Sequence, residues 1–98
     1  MLKKVYSETG DACQVTFELP EQVEAQTACL CGEFNAWNTA DLPMALGEDG
    51  RFTITVTLQP GQQYRFRYLL DGTRWENDWA ADSYIPNPFG SEDSALQV

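Results

Sequence analysis

Three stretches of the chain alternate apolar and polar residues with a period of two. This alternation puts one set of side chains on each face of a strand, so each stretch is predicted to be a half-buried β-strand. No segment shows a sustained 3.6-residue period, so long helices are not expected. The apolar positions are Cys13, Val15, Phe17 and Leu19 in the first stretch, Phe52, Ile54, Val56 and Leu58 in the second, and Tyr64, Phe66, Tyr68 and Leu70 in the third.

Residues that favour turns separate these stretches. Pro20, Gly50, Gly61 and the Asp71-Gly72 pair all fall between apolar runs, and Asp-Gly is typical of a tight hairpin. Short strands at nearly regular spacing predict an all-β fold, an antiparallel β-sandwich.

The remaining segments are assigned from shorter patterns. A run with Ala28 and Leu30 on one side, and the segment 94–98, are predicted to be further short strands. Residues 77–92 contain Pro86 and Pro88 and are predicted to form an ordered surface loop rather than a strand.

Length and charge restrict the function. A chain of 98 residues is long enough for one domain, residues 1–98, that buries roughly two-thirds of its unfolded surface. Its net charge of −9 would repel a nucleic acid over most of the surface. With no histidine, the chain has no imidazole for a Ser-His-Asp triad or a metal site.

The apolar runs predict the cellular location of the protein, and the cysteine spacing bears on whether it binds a metal. The N-terminal segment has no apolar run typical of a secretory signal, and no stretch approaches the roughly 20 apolar residues of a membrane helix. We therefore expect a cytoplasmic protein that does not contact a membrane. Cys13, Cys29 and Cys31 are expected to be free thiols in strands, because no second cysteine pair or histidine completes a metal site around Cys29-x-Cys31. No cofactor is expected.

Tryptophans and arginines are the candidate binding groups. Trp37 follows a predicted strand in Phe34-Asn35-Ala36-Trp37-Asn38, where it either anchors the loop or offers a flat apolar platform to a sugar ring. Of Trp75 and Trp79, one is expected to pack inside and the other, Trp75, to face solvent. Arg65 and Arg67 lie opposite the apolar face of their strand, either as solvated charges or as donors to sugar hydroxyls.

Acidic side chains give little support for catalysis. Glu76, Asp78 and Asp82 lie close in sequence, and glycoside hydrolysis uses two carboxylates at a fixed separation. A sandwich of this size offers little depth in which to raise the pKa of an acid, so the chain is not expected to be an enzyme.

Four segments together resemble one family in their order and spacing. The chain resembles the isoamylase N-terminal, early-set domain, which is the family-48 carbohydrate-binding module and is related to the glycogen-binding domain of the AMP-activated protein kinase β subunit. The resemblance covers about residues 12–98. The segments are Gly32-Glu33-Phe34-Asn35-Ala36-Trp37, Tyr64-Arg65-Phe66-Arg67-Tyr68-Leu69-Leu70-Asp71-Gly72, Trp75-Glu76-Asn77-Asp78 and Pro86-Asn87-Pro88-Phe89-Gly90.

The resemblance implies an immunoglobulin-like sandwich that binds α-1,4-linked glucans such as glycogen or starch. Two positions depart from the family pattern: Trp75 stands one residue farther beyond the Asp-Gly turn, and Asp93 replaces an asparagine. The carbohydrate-binding residues implied by the resemblance are Trp37, Arg67, Trp75, Phe89, Ser91 and Asp93.

Two functional hypotheses result. In the first, the chain is a non-catalytic module that binds an α-glucan polysaccharide. In the second, the same sandwich is a protein-interaction or regulatory domain that docks on a glycogen-metabolising enzyme, with its aromatic side chains buried at that interface.

Overall fold

The protein folds as an antiparallel β-sandwich, as the alternation predicts, and is consistent with an immunoglobulin-like arrangement. The computed structural model describes residues 2–98. Nothing helical in that range has the length and apolar character needed to span a bilayer. The strands are β1 Leu2–Tyr6, β2 Cys13–Glu18, β3 Ala28–Gly32, β4 Ala45–Leu46, β5 Phe52–Leu58, β6 Gln63–Leu70, β7 Arg74–Glu76, β8 Ser83–Pro86 and β9 Glu92–Gln97, and short 3-10 helices cover Glu21–Val23 and Glu33–Asn35.

Two sheets make up the sandwich. One has the order β1-β2-β5-β4, and the other has the order β3-β6-β9-β8 with β7 added on β6. The strand β6 pairs with β3 along one edge, and along its other edge it pairs first with β9 and then with β7. This central position of β6 brings residues from β7 and β9 beside its outward-facing side chains.

The core lies between the sheets and contains the predicted apolar positions. All four apolar residues of the first stretch are buried, and so are Phe66, Tyr68 and Leu70 of the third. In the second stretch Phe52 and Leu58 are buried, whereas Ile54 and Val56 are half-buried against the core cluster. The short-run residues Ala28 and Leu30 are buried as well.

The prediction that residues 77–92 contain no strand is wrong, because β8 lies within that segment. β8 pairs only with β9, at the edge of its sheet. Proline is tolerated there, since an edge strand leaves one row of backbone N–H groups unpaired and Pro86 has none to lose. The strands β1 and β4 carry no alternating pattern and were not predicted.

Candidate functional site

An open cleft of about 470 Å³ lies on the outer face of the five-stranded sheet. Because side chains alternate along β6, Phe66 and Tyr68 face the core while Arg65 and Arg67 face outward into this cleft. All six binding residues implied by the sequence resemblance line it. The lining residues are Trp37, Arg65, Arg67, Trp75, Asn87, Pro88, Phe89, Ser91 and Asp93.

Trp37 is held at the cleft by a tight turn after β3. The Asn35 side chain accepts a hydrogen bond from the Gly32 N–H at 3.0 Å and donates to the carbonyls of Leu30 and Asn38 at 3.3 and 3.4 Å. The Trp37 N–H donates to the Gly32 carbonyl at 2.8 Å. These bonds hold Ala36 and Trp37 at φ of 56° and 59°, a left-handed backbone that costs a non-glycine residue about 1–2 kcal/mol.

The turn itself is anchored on the core by Phe34. Its ring lies 5.8 Å from Phe17 and 6.0 Å from Tyr64 between centroids. Close approach requires glycine at position 32, where a Cβ would lie 2.6 Å from the Arg65 carbonyl oxygen and 2.8 Å from the Phe34 ring. In the Phe-Asn-x-Trp motif, therefore, Phe34 and Asn35 position the turn, and Trp37, which is half-buried, lines the cleft.

Trp75 reaches the same cleft from β7. The loop Asp71-Gly72-Thr73 joins β6 to β7, with Asp71 and Gly72 at φ of 53° and 72°, and Trp75 pairs with Leu69 in the ladder. The extra residue in this loop therefore does not remove Trp75 from the cleft. Trp75 is 44% exposed, as expected for the tryptophan that faces solvent.

The prediction that one of the two C-terminal tryptophans packs inside is wrong. Trp79 is 59% exposed, and it lies outside the cleft with its Nε1 3.4 Å from Glu76 Oε1. Positions 75 and 79 would share one face of a continuous strand, but β7 ends at Glu76, so Trp79 lies beyond the strand.

Arg67 is fixed in the cleft by residues of β9 and the loop before it. Its Nη2 donates to Ser91 Oγ at 3.0 Å and, in a very short contact, to the Glu92 carbonyl. Its Nε lies 3.2 Å from Asp93 Oδ1. The guanidinium is thus held in place before any ligand arrives.

Asp93 lies between the two arginines. Its Oδ2 is 3.5 Å from Arg65 Nη1, and its Oδ1 accepts a hydrogen bond from Asn87 Nδ2 at 3.1 Å. Arg65 Nη1 also donates to the Pro86 carbonyl at 3.3 Å. Because only 8% of Asp93 is exposed, its oxygens are used mainly inside the protein.

The loop between β8 and β9 presents Phe89. Asn87 Oδ1 accepts hydrogen bonds from the N–H groups of Phe89 and Ser91 at 3.0 and 3.3 Å, and Gly90 has a φ of 83°. This ordered turn leaves Phe89 90% exposed at the rim of the cleft. An apolar ring held so far into solvent is available to a ligand.

All three carboxylates that could suggest catalysis are engaged in the structure, Glu76 by the indole N–H of Trp79. Asp78 is buried and accepts a 2.6 Å hydrogen bond from Tyr68 Oη, where burial, followed by the charge and hydrogen bond of Asp78, raises the pKa of the tyrosine well above its usual value. Asp82 pairs with Lys4 Nζ at 2.5 Å. None of these three carboxylates lines the cleft.

The cysteines lie in strands, as predicted, and all three are free thiols. Burial, with a smaller effect of Cys29, raises the pKa of the Cys31 thiol to about 11, so this group stays protonated at neutral pH. Within residues 2–98, no three potential metal-ligating side chains form a group.

Arg65, which the sequence offered as a candidate donor but which the resemblance did not include, also lines the cleft, together with Asn87 and Pro88, which were not predicted there. The alternation of β6 already places Arg65 on the face of Arg67, which was the available signal. The role of Asn87 depends on contacts across the loop, which no local pattern reveals.

Chemically, the cleft combines flat apolar faces with hydrogen-bond donors. Trp37 and Trp75 supply rings on which the C–H face of a sugar can stack, and the arginines and Ser91 supply polar groups that match hydroxyls.

Comparison with known proteins agrees with this geometry. No curated protein matches the sequence. The model of one family, described as the glycogen recognition site of AMP-activated protein kinase, matches residues 12–87, which is most of the chain. The chain therefore belongs to the family of glycogen recognition domains of AMP-activated protein kinase, whose members are carbohydrate-binding modules.

Proposed function

We propose that the chain binds α-1,4-linked glucan in the cleft defined above and performs no reaction on it. The observation that carries the proposal is the convergence of Trp37 and Trp75, which are far apart in sequence, on one cleft that also contains Arg67 and Ser91. The family membership of the chain supports the same ligand class.

Each group has a distinct part in this binding. Trp37 and Trp75 stack on the apolar faces of glucose units, and Phe89 covers the edge of the bound chain. Arg67 and Ser91 exchange hydrogen bonds with hydroxyl groups. Asp93 holds the arginines in position, since Arg65, Arg67 and Asn87 already use its oxygens.

The acidic groups of the cleft support binding without catalysis. Hydrolysis of a glycosidic bond uses two carboxylates on either side of that bond. Among the residues that line the cleft, Asp93 is the one carboxylate, and two guanidiniums lie against it. A single carboxylate among the lining residues does not supply the pair that this reaction uses.

Native gel electrophoresis in the presence of glycogen tests the proposal. The wild-type protein is expected to migrate more slowly in a gel that contains glycogen than in a gel without it. Loss of one stacking face is expected to weaken binding by about 1–2 kcal/mol, so Trp37→Ala reduces the retardation and the double variant with Trp75→Ala abolishes it.

Trp79→Ala is the matched control, since it removes an exposed tryptophan that does not line the cleft. It is expected to be retarded like the wild type. Circular dichroism would establish that each variant is folded. A folded wild-type protein that glycogen does not retard would contradict the proposal and favour a domain that docks on a protein partner through the same aromatic side chains.

A further inference from the structure

The cleft contains a second guanidinium beside Arg67, that of Arg65. The two lie on opposite sides of the Asp93 carboxylate, with Arg65 Nη1 at 3.5 Å and Arg67 Nε at 3.2 Å. Two arginines and one aspartate give the lining of the cleft a net charge of +1, whereas the whole chain has a net charge of −9. The cleft is therefore a positive region on an acidic protein.

The contacts inside the protein leave part of each guanidinium unused. Arg65 uses Nη1 for both Pro86 and Asp93. Arg67 uses Nη2 for two hydrogen bonds, and its buried Nε lies beside Asp93 without a hydrogen bond inside the described part of the chain. Within residues 2–98, no hydrogen bond involves Arg65 Nη2 or Arg67 Nη1. Each of these nitrogens carries two N–H donors in a fixed plane.

We infer that the cleft prefers an α-glucan that carries phosphate monoesters, a preference that rests on the proposed glucan binding. A phosphate has three charged acceptor oxygens and suits two guanidiniums at once, whereas a hydroxyl group offers a single uncharged oxygen. In the bound state, the phosphate accepts hydrogen bonds from Arg65 and Arg67 while adjacent glucose units stack on Trp37 and Trp75.

The overall negative charge of the chain is compatible with this ligand. Charges farther away than about 8–10 Å are largely screened at physiological ionic strength, so a single phosphate in the cleft interacts mainly with the two arginines and Asp93. A polyanion would extend over the acidic remainder of the surface, but a glucan with isolated phosphate groups would not.

Isothermal titration calorimetry with two ligands tests the inference. One ligand is a neutral maltooligosaccharide, and the other is the same oligosaccharide with one glucose unit phosphorylated at O6. The wild-type protein is expected to bind the phosphorylated form about fivefold more tightly at low salt, as for one partly exposed ion pair. This ratio is expected to decrease as salt is added.

Variants assign the preference to Arg65. Arg65→Gln is expected to bring the ratio of the two affinities close to one, and because both ligands are measured on the same variant, this ratio is independent of any change in affinity for the neutral ligand. Arg65→Lys keeps the charge and is expected to keep part of the preference. Lys3→Gln is the matched control, because it removes one exposed positive charge on β1, in the other sheet, and is expected to leave the ratio unchanged.

The possible results separate the two proposals. Equal binding of both oligosaccharides by the wild type, or an unchanged ratio in folded Arg65→Gln, would overturn the phosphate preference and leave the glucan proposal in place. Binding of neither oligosaccharide would overturn both. If glucose 6-phosphate alone bound as tightly as the phosphorylated oligosaccharide, the arginines would belong to a free sugar phosphate, and the inference would be wrong.

Discussion

Asp93 illustrates how a single, largely buried residue can arrange the other side chains of a cleft. Where the family pattern has asparagine, this chain has a carboxylate that contacts Arg65, Arg67 and Asn87. An amide would offer one acceptor oxygen and would direct an NH₂ group toward a guanidinium, so donors would face donors. The charge at position 93 and the second arginine at position 65 therefore form one unit.

Asp93→Asn is expected to lower the free energy of unfolding by about 1 kcal/mol, the cost of replacing an accepted charge-assisted hydrogen bond. Urea denaturation would measure the change. Asp49→Asn is the matched control, since Asp49 Oδ2 lies 3.9 Å from Arg51 Nε on an exposed side chain and asparagine can still accept from the Arg51 N–H. The control is expected to change the stability by less than about 0.5 kcal/mol. Equal effects of the two substitutions would argue against a special role of Asp93.

At the level of secondary structure, the cleft depends on how β3 leads into the 3-10 turn Glu33–Asn35. The turn has few bonds of its own, and its position comes from the Phe34 contacts with the core and from the Asn35 side chain. Gly32 allows this turn to approach β6 closely, because any side chain there would meet the Arg65 carbonyl. The position of Trp37 is therefore a property of the strand end and not of the tryptophan alone.

Gly32→Ala is expected to displace the turn and lower the free energy of unfolding by about 1–3 kcal/mol, as for other insertions of a methyl group into a packed region. Glycogen affinity is expected to fall as well, since Trp37 moves with the turn. In the control Gly47→Ala, the nearest contact of the new Cβ is the end of the Asp49 side chain at 3.0 Å, which is exposed and can move. If Gly32→Ala bound glycogen like the wild type, the turn would not determine the position of Trp37.

The alternation of apolar and polar residues predicted the strands that form the core. The remaining strands depend on contacts between segments that are distant in sequence. The strands with apolar residues at every second position, such as β2 and β6, are where the sequence places them, because one buried face fixes the period. The edge strand β8 and the short β4 have little burial to impose such a pattern, so neither was predicted.

In the candidate site, too, some residues follow from local sequence patterns and others depend on contacts between distant segments. The local motif around Trp37 and the alternation of β6 indicated which side chains face outward. The resemblance, rather than any spacing, brought Phe89 and Ser91 into the predicted site. The pairing of both arginines with Asp93 results from the register of β6 with β9, and the part of Asn87 in the loop depends on the register of β8 with β9. Neither was accessible from the sequence.

Across the whole molecule, the few positive charges are mostly used to join elements. Lys4 of β1 contacts Asp82, just before β8, and the carbonyl of Gln97 in β9 of the other sheet. Arg51 pairs with Glu18 of β2. Arg74 donates to the carbonyls of Val23 and Glu24. The exposed remainder is strongly acidic, so the molecule repels other acidic surfaces and other copies of itself.

The contact between Lys4 and Asp82 makes stability depend on pH. Burial raises the pKa of Asp82. The hydrogen bonds from Lys4 and from the Gln97 N–H, together with the positive charge of Lys4, lower it by more, so the pKa of Asp82 in the folded protein lies below the ordinary 3.8. A carboxyl with a lowered pKa contributes stability that is present above its unfolded value and is lost as pH falls through its folded value. We expect Asp82→Asn to be less stable than the wild type near pH 7 and the difference to shrink below about pH 4. Urea midpoints at several pH values would measure this, and a difference that stayed constant with pH would assign the effect to packing instead of charge.

The dependence of glycogen binding on salt distinguishes a sugar-binding surface from a protein-docking surface at the level of the whole molecule. A neutral glucan carries no counterions to release, so stacking on Trp37 and Trp75 should give nearly the same retardation at low and at moderate salt. Docking of a domain with a net charge of −9 on a basic partner would weaken as salt screens the attraction. Affinity gels with glycogen that has been treated to remove phosphate, run at two ionic strengths, are therefore expected to show equal retardation of the wild type. Retardation that decreased strongly with salt would mean that charge, and not the aromatic faces of the cleft, dominates the binding of the neutral polymer.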